Sequence, residues 1–300
     1  MPSFRCAKAQ AEHASRAKTS HGIPRHNNRT SGFIHSIGSE RNYTQALICL
    51  TKWLQANLLG DLKGLTVEHA HQYLNARSGQ VSQKSLDLDR QAIQIHLCCT
   101  LKRFNSTKPA STLASKSRAY SPGQLLEISQ LMPENFALAL RIALSSGLRA
   151  CELLTLAPQN ERQASGHRRW STNRFIGRKN QARYTVIGKG GLVREITIPK
   201  DVAEQLEKKR LPQPQKISDR GVHRLKLYDI PGGKIFSGKF SEASKEALGF
   251  SLGAHGLRHT YSQERILEIQ AQGFSIIEAK GITAQELGHF SMTTTEAYLR

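Results

Sequence analysis

His255-Gly256-Leu257-Arg258-His259-Thr260 and, further on, Leu287-Gly288-His289 followed by Tyr298 close this 300-residue sequence. Two clusters of imidazole and guanidinium groups stand ahead of one tyrosine. Upstream lie Ser146-Gly147-Leu148-Arg149-Ala150-Cys151-Glu152-Leu153 and Gly188-Lys189-Gly190-Gly191. Together they offer Arg149, Arg258, Lys189, His255, His289 and Tyr298. That set can attack a phosphodiester without a metal. Arginines hold the non-bridging oxygens, lysine or histidine moves protons, and tyrosine serves as a covalent nucleophile.

The bulk charge points to the same partner. Lys and Arg number 43 against 23 Asp and Glu, giving a net charge of +20 and a pI of about 10.1. The basic residues cluster rather than spread, which makes a polyanion, and first of all double-stranded DNA, the expected partner. No apolar run reaches the ~18 residues of a membrane span. The N-terminus is polar and basic, without the apolar segment of a secretory signal. The chain therefore reads as cytoplasmic and associated with the bacterial nucleoid, with no membrane partner. Cys6, Cys49, Cys98, Cys99 and Cys151 form no CxxC pair and no zinc spacing, so free thiols in a reducing compartment are expected. No metal and no cofactor are expected.

Residues 1–30 carry Arg5, Lys8, Arg16, Lys18, Arg25 and Arg29 against Glu12, and read as a flexible basic arm. From Ser39 the apolar period becomes helical: Tyr43, Leu47, Leu50, Trp53 and Leu54 share one face. Thr66 is placed to cap a second helix, with Val67, Ala70 and Leu74 inward. Ser82 or Ser85 is placed to cap a third, with Leu86, Ile93, Leu97 and Leu101 inward. Residues 31–105 are thus expected as a small helical bundle, with Lys84, Arg90, Lys102 and Arg103 on its surface. Residues 106–120 lack acid and apolar period but carry Lys108, Lys116 and Arg118, and read as a basic linker.

A second domain, 121–300, opens with Pro122 in the first helical turn. Helices are expected after it, around Phe136 to Leu144 and from Cys151 to Leu156. Residues 159–183 are strongly basic, with Arg162, Arg168, Arg169, Arg174, Arg178, Lys179 and Arg183, and Trp170, Phe175 and Ile176 suggest a strand. Tyr184 to Ile187 and Glu195 to Ile198 read as two strands joined by the glycine-rich turn at Lys189. Asp201 is expected to cap a helix running to Arg210. Residues 211–234 read as Pro/Gly-rich loop, and Ser241 to Leu248 as helix. The fold class is mainly α with a small β-sheet in the second domain (α+β).

The residue boxes at 146–153, 188–191, 255–260 and 287–298, with Thr294 and Thr295 before the tyrosine, resemble those of the tyrosine recombinases, or phage integrases. The resemblance covers 121–300 by motif and the helical (SAM-like) core-DNA-binding domain by helical content. It implies a site-specific DNA recombinase, the integrase of a phage or other mobile element, that works as a tetramer on paired DNA sites. Accessory DNA-bending proteins are further candidate partners. Arg149 and Arg258 would clamp the scissile phosphate, Tyr298 would form a 3′-phosphotyrosine, and Lys189 would protonate the leaving 5′-oxygen. His255 would be general base or proton shuttle, and His289 would hydrogen-bond the phosphate. Lys84, Arg90, Lys102, Arg103, Lys108, Lys116, Arg118, Arg168, Arg169, Arg174, Arg178 and Lys179 would meet the DNA.

His259 and Glu152 read instead as structural, Glu152 as partner to a nearby cation. The intervals from Arg149 to Lys189 and from Arg258 to His289 are longer than in compact relatives, so a basic insertion at 159–183 is expected. Only Leu299 and Arg300 follow Tyr298, where many relatives continue into a segment that docks on a neighbouring subunit. That segment is expected to be absent or to lie beyond this sequence. Two other functions share these features: a monomeric nicking-closing enzyme like the type IB topoisomerases, and a non-catalytic DNA-binding protein, which would carry broken boxes.

Overall fold

The computed structural model describes residues 6–21, 32–108, 117–291 and 295–299. The chain divides into two compact units, Met1–Ala114 and Ser115–Arg300.

The first unit is helical: α1 (Ala7–Arg16), α2 (Ile37–Ala56), α3 (Val67–Ser78) and α4 (Gln83–Leu97). Ser36 Oγ caps α2 by accepting from Ser39 N, and Thr66 Oγ1 caps α3 by accepting from His69 N. Ser82 is the N-cap residue of α4 without a side-chain cap bond. Leu47, Leu50, Leu54, Leu74, Leu86 and Ile93 form the core with Leu101, whereas Val67 stays exposed. One expectation changes: within the stretch read as a flexible arm, residues 7–16 are a helix. Its Ala-rich sequence favours helix, and Ala7, Ala11 and Ser15, four residues apart, make a buried small-residue face that packs on α2. Arg5, Arg25 and Arg29 lie outside the described residues.

The second unit begins with α5 (Pro122–Gln130), closed by a capping box between Ser121 and Gln124. Helix α6 (Glu134–Ser146) buries Leu138, Ala139, Ile142 and Ala143 and stops at Gly147, whose φ of 59° is left-handed. A β-carbon there would lie 2.5 Å from the Tyr261 ring, so only glycine fits this helix end. A short 3-10 turn, Glu152–Thr155, leads into β1 (Ala157–Pro158). With β2 (Gln181–Ile187) and β3 (Val193–Pro199) it forms an antiparallel sheet in the order β1-β2-β3. Tyr184 pairs with Ile196 and Val186 with Arg194.

Three expectations for this unit fail. No strand forms at 170–176, because the backbone is a run of turns in which Phe175 and Gly177 hold positive φ. Asp201 lies in the first turn of α7 (Lys200–Glu207), with Pro199 at the cap position. Residues 210–228, read mostly as loop, form a hairpin of β4 (Arg210–Asp219) and β5 (Val222–Tyr228). Its turn at Arg220-Gly221 has φ of 52° and 80°, the twist that tight hairpins require. Pro212 and Pro214 are exposed and sit where β4 slips register against β5. Helices α8 (Gly233–Leu248), α9 (Gly256–Gln270) and α10 (Ile276–Glu286) complete the unit. The core gathers α6, β2, β3, α8 and the start of α9 around Ile142, Val186, Ile198, Phe236, Phe240 and Leu257.

Candidate active site

Glu152 is the keystone. Its side chain is fully buried, and its carboxylate accepts from Arg149 Nη1 at 2.6 Å, from Arg149 N at 2.9 Å and from Arg194 Nη2 at 2.8 Å. Arg258 Nη1 lies 3.9 Å away. Burial alone would raise its pKa, but Arg194, Arg258 and Arg149 outweigh that and hold it at about 2. One anion thus gathers three guanidiniums and leaves the cluster with net positive charge.

Arg258 sits on the first turn of α9, wholly buried. Its Nη1 donates to Gly147 O at 2.5 Å and its Nη2 to Leu287 O at 2.5 Å. Its Nε donates to the Tyr298 hydroxyl at 3.3 Å. These contacts tie the end of α6, the end of α10 and the tyrosine to one side chain. Burial, then the neighbouring Arg149, lowers its pKa to about 10, so it stays cationic at neutral pH.

His289 stands between the two boxes. Its Nε2 lies 2.9 Å from Arg149 Nη2 and 3.1 Å from Arg258 Nη2. Both neighbours are obligate donors, so Nε2 accepts and the neutral ring carries its proton on Nδ1. That Nδ1 is buried with no protein partner among the described residues. Burial first, then the charges of Arg258 and Arg149, holds the His289 pKa at about 3. His255 is likewise held at about 4 by burial, Arg258 and His259.

The Tyr298 ring stacks on His289 with centroids 5.7 Å apart, and lies 5.5 Å from His255 and 4.8 Å from His259. Its carbonyl accepts from Gln263 Nε2 at 3.1 Å, and His259 bonds the same backbone. His259 is thus a latch on the tyrosine segment. Thr294 lies outside the described residues, while Thr295 is buried.

Lys189 sits exposed in the turn between β2 and β3. Gly188 passes over the arginine box: a β-carbon there would be 3.2 Å from Glu152 Oε1 and 3.9 Å from Arg149 Nη1. Lys189 itself has no hydrogen bond or ion pair among the described residues. Arg149, Arg258, His255, His289 and Tyr298 therefore converge, and Lys189 follows directly on Gly188, which passes over Arg149.

The broader list of cations divides. Arg168, Arg169 and Lys179 are exposed, and Arg168 lies over the Phe290 ring at 4.8 Å. Two members are corrected. Arg174 pairs with Glu195 at 2.7 Å and Arg178 with Glu268 at 3.0 Å, their side chains only 10% and 13% exposed. Both are held inside by carboxylates rather than presented to a ligand. Arg118 is exposed and donates to Leu252 O. In the first unit, Lys84, Lys102 and Lys108 are exposed. Arg103 is held by Asp87 at 3.0 Å, and half-buried Arg90 donates to Leu101 O at 3.3 Å. Lys116 lies outside the described residues. Arg194 was not singled out by sequence. A charged pair, Arg194-Glu195, inside an otherwise apolar strand was the available signal.

Among solved structures, the chain resembles the XerH site-specific recombinase bound to palindromic difH substrate in a post-cleavage complex. The TM-score is 0.55 at 14% identity, over 99% of this chain and 93% of that one. A lambda integrase (75–356) dimer bound to a COC′ core site matches with TM-score 0.52 at 15% identity, over 97% and 94%. A lambda integrase tetramer bound to a Holliday junction matches with TM-score 0.51 at 14% identity, over 99% and 78%. The chain has the tyrosine recombinase fold. Its small antiparallel sheet among helices is the architecture of the tyrosine recombinase catalytic domain. No family model matches the sequence, and no curated protein matches it. Among the described residues, no helix is long and apolar enough to cross a membrane.

Proposed function

We propose that this chain is a site-specific DNA recombinase that cleaves and rejoins strands through a 3′-phosphotyrosyl intermediate. The observation that carries the reading is the convergence of Arg149 and Arg258 on His289, whose ring stacks on that of Tyr298, with Arg258 Nε bonded to the Tyr298 hydroxyl. A tyrosine recombinase fold by itself would not require those groups to meet.

Arg149 and Arg258 face the non-bridging oxygens, and their charge stabilises the pentavalent transition state. The Tyr298 oxygen attacks phosphorus while the P–O5′ bond breaks. The hydroxyl proton leaves through His255, neutral at working pH and so able to accept it, and Lys189 delivers a proton to the departing 5′-oxygen. The Nδ1–H of His289, buried and without a partner among the described residues, is the proposed donor to the phosphate. The phosphotyrosine conserves the bond energy, so the 5′-hydroxyl of a second strand reverses the chemistry without ATP or metal. A tetramer on two paired DNA sites is the working assembly, as in the lambda integrase complex on a Holliday junction. An integrase of a phage or other mobile element is the proposed setting. Lys84, Lys102, Lys108, Lys116, Arg118, Arg168, Arg169 and Lys179 are the proposed DNA contacts.

The test is a trapped covalent adduct. Nicked duplexes drawn from the DNA flanking the gene are incubated with the full chain and assayed for protein–DNA species that survive denaturant. An adduct is expected. Tight binding without an adduct, together with failure to relax supercoiled plasmid, would favour a DNA-binding protein without strand transfer.

A further inference from the structure

The proposed chemistry uses Arg149 and Arg258, but a third guanidinium is buried against the same Glu152. Arg194, on β3 opposite Val186, is 1% exposed. Its Nη2 donates to Glu152 Oε2 at 2.8 Å, and its Nη1 donates to the carbonyl of Glu286. Its Nε–H is buried without a partner among the described residues. A β-carbon on Gly288 would lie 2.8 Å from Arg194 Cδ, so the chain before His289 runs directly over this side chain. A buried cation is costly to keep, and an apolar residue of similar volume would commonly be no less stable.

We infer that Arg194 is a positioning residue that keeps Arg258 aimed at the scissile phosphate by holding Glu152 and the 286–289 turn in place. The inference rests on the strand-transfer reading above. Arg258 Nη1 lies 3.9 Å from the same Glu152 Oε2. With Arg194 bonded to Oε2, Arg258 keeps its hydrogen bonds to Gly147 O, Leu287 O and the Tyr298 hydroxyl. Without Arg194, Glu152 draws Arg258 toward itself, and the freed Glu286 carbonyl lets the turn carrying Leu287 and His289 relax. Both changes turn the guanidiniums away from the anion.

The chemistry offers a readout that a purely structural role would not move. A methylphosphonate replaces one non-bridging oxygen by methyl and removes the negative charge that the arginines face. Arg194→Met should slow strand cleavage of a phosphodiester about 100-fold, the scale of a misplacement near 1 Å, with duplex affinity unchanged. On the matching methylphosphonate, the variant and wild type should cleave at nearly equal rates. Arg194→Lys, which keeps the charge but not the fork, should fall between. If the Met variant fails to fold, the Lys variant makes the same comparison. Equal slowing on both substrates would reduce Arg194 to a fold-holding residue and overturn the inference, as would an unchanged phosphodiester rate. Wild type inert on both substrates would instead overturn the strand-transfer reading, and this inference with it.

Discussion

Arg258 donates its Nε–H to the hydroxyl of Tyr298 at 3.3 Å while its two terminal nitrogens are bonded to Gly147 O and Leu287 O. The residue proposed to bind the phosphate is therefore also the residue that orients the nucleophile. Its own position is set by backbone from two other segments. Arg258 is wholly buried and each of its nitrogens already has a protein partner, so a phosphate engages it only by taking over one of these bonds.

Removing Arg149 and removing Arg258 should differ in kind. Arg149 is 27% exposed and its loss leaves Glu152 still paired with Arg194. Arg149→Ala should lower single-turnover cleavage about 100- to 1000-fold with little change in melting temperature. Arg258→Ala should lower cleavage at least as much and also strip the buried Leu287 carbonyl of its Arg258 bond and leave Gly147 O with only a long bond from Arg194, costing about 2 kcal/mol or more. Cleavage assays beside thermal melts check both; a melted Arg149→Ala protein would remove the case for a catalytic Arg149.

Acid should act through buried imidazoles. His289 and His255 have folded pKa values of about 3 and about 4, below the ordinary 6.5, so the unfolded chain binds more protons once the pH drops below that value. Their contribution to stability is present above 6.5 and lost as pH falls toward 4 and then 3. Glu152, held at about 2 against an ordinary 4.5, adds a loss of the same sign below that value. Melting temperature should therefore fall steadily from pH 6.5 downward. The acid limb of kcat/KM, which reports the free enzyme, should lie below about pH 5. A limb centred near the ordinary histidine value would contradict the neutral, buried imidazoles.

Gly147 tests the backbone under the arginine box. Its φ is 59° and a β-carbon would enter the Tyr261 ring and the Leu287 side chain. Gly147→Ala should cost about 1–3 kcal/mol and shift Gly147 O, an acceptor of Arg258. Denaturant unfolding gives the stability, and the adduct rate should drop more than the population of folded protein does.

The basic segment 159–183 holds two kinds of cation. Arg168→Ala, Arg169→Ala and Lys179→Ala should weaken duplex binding and each lower the salt slope of log K by about 1, leaving the melting temperature unchanged. Arg174→Ala and Arg178→Ala should instead destabilise the fold, because each leaves a carboxylate, Glu195 or Glu268, without its strongest partner. Salt-titrated binding and melts on the two groups check the division.

What the sequence made legible follows from range. The arginine boxes, the Lys189 turn and the Tyr298 spacing are short local patterns whose residue types already state a chemistry. The β2–β3 hairpin was legible from β-branched runs around glycines. Helices α2 to α6 were legible from periodicity and from signals such as the Thr66 cap and Pro122 in the first turn. The β4–β5 hairpin was hidden because Pro212 and Pro214 signal loop and its turn is Arg220-Gly221 rather than Asn-Gly. Helix α1 was hidden by the basic residues on its exposed face. The inward turn of Arg174 and Arg178 depends on Glu195 and Glu268, partners remote in sequence. Arg194 carried only the hint of a charged pair within a strand, and its role was not legible, since Glu152 and Glu286 reach it only after the sheet and α10 have packed.

The most direct measurement is the identity of the side chain that carries the DNA. The adduct formed on a nicked flanking duplex would be digested with protease and nuclease, and the nucleotide-bearing peptide mapped by mass spectrometry, with Tyr298→Phe run in parallel. A nucleotide 3′-phosphate on Tyr298 is expected, with no adduct from the Phe variant and unchanged DNA affinity in that variant. An adduct on another residue, or an undiminished adduct from Tyr298→Phe, would contradict it.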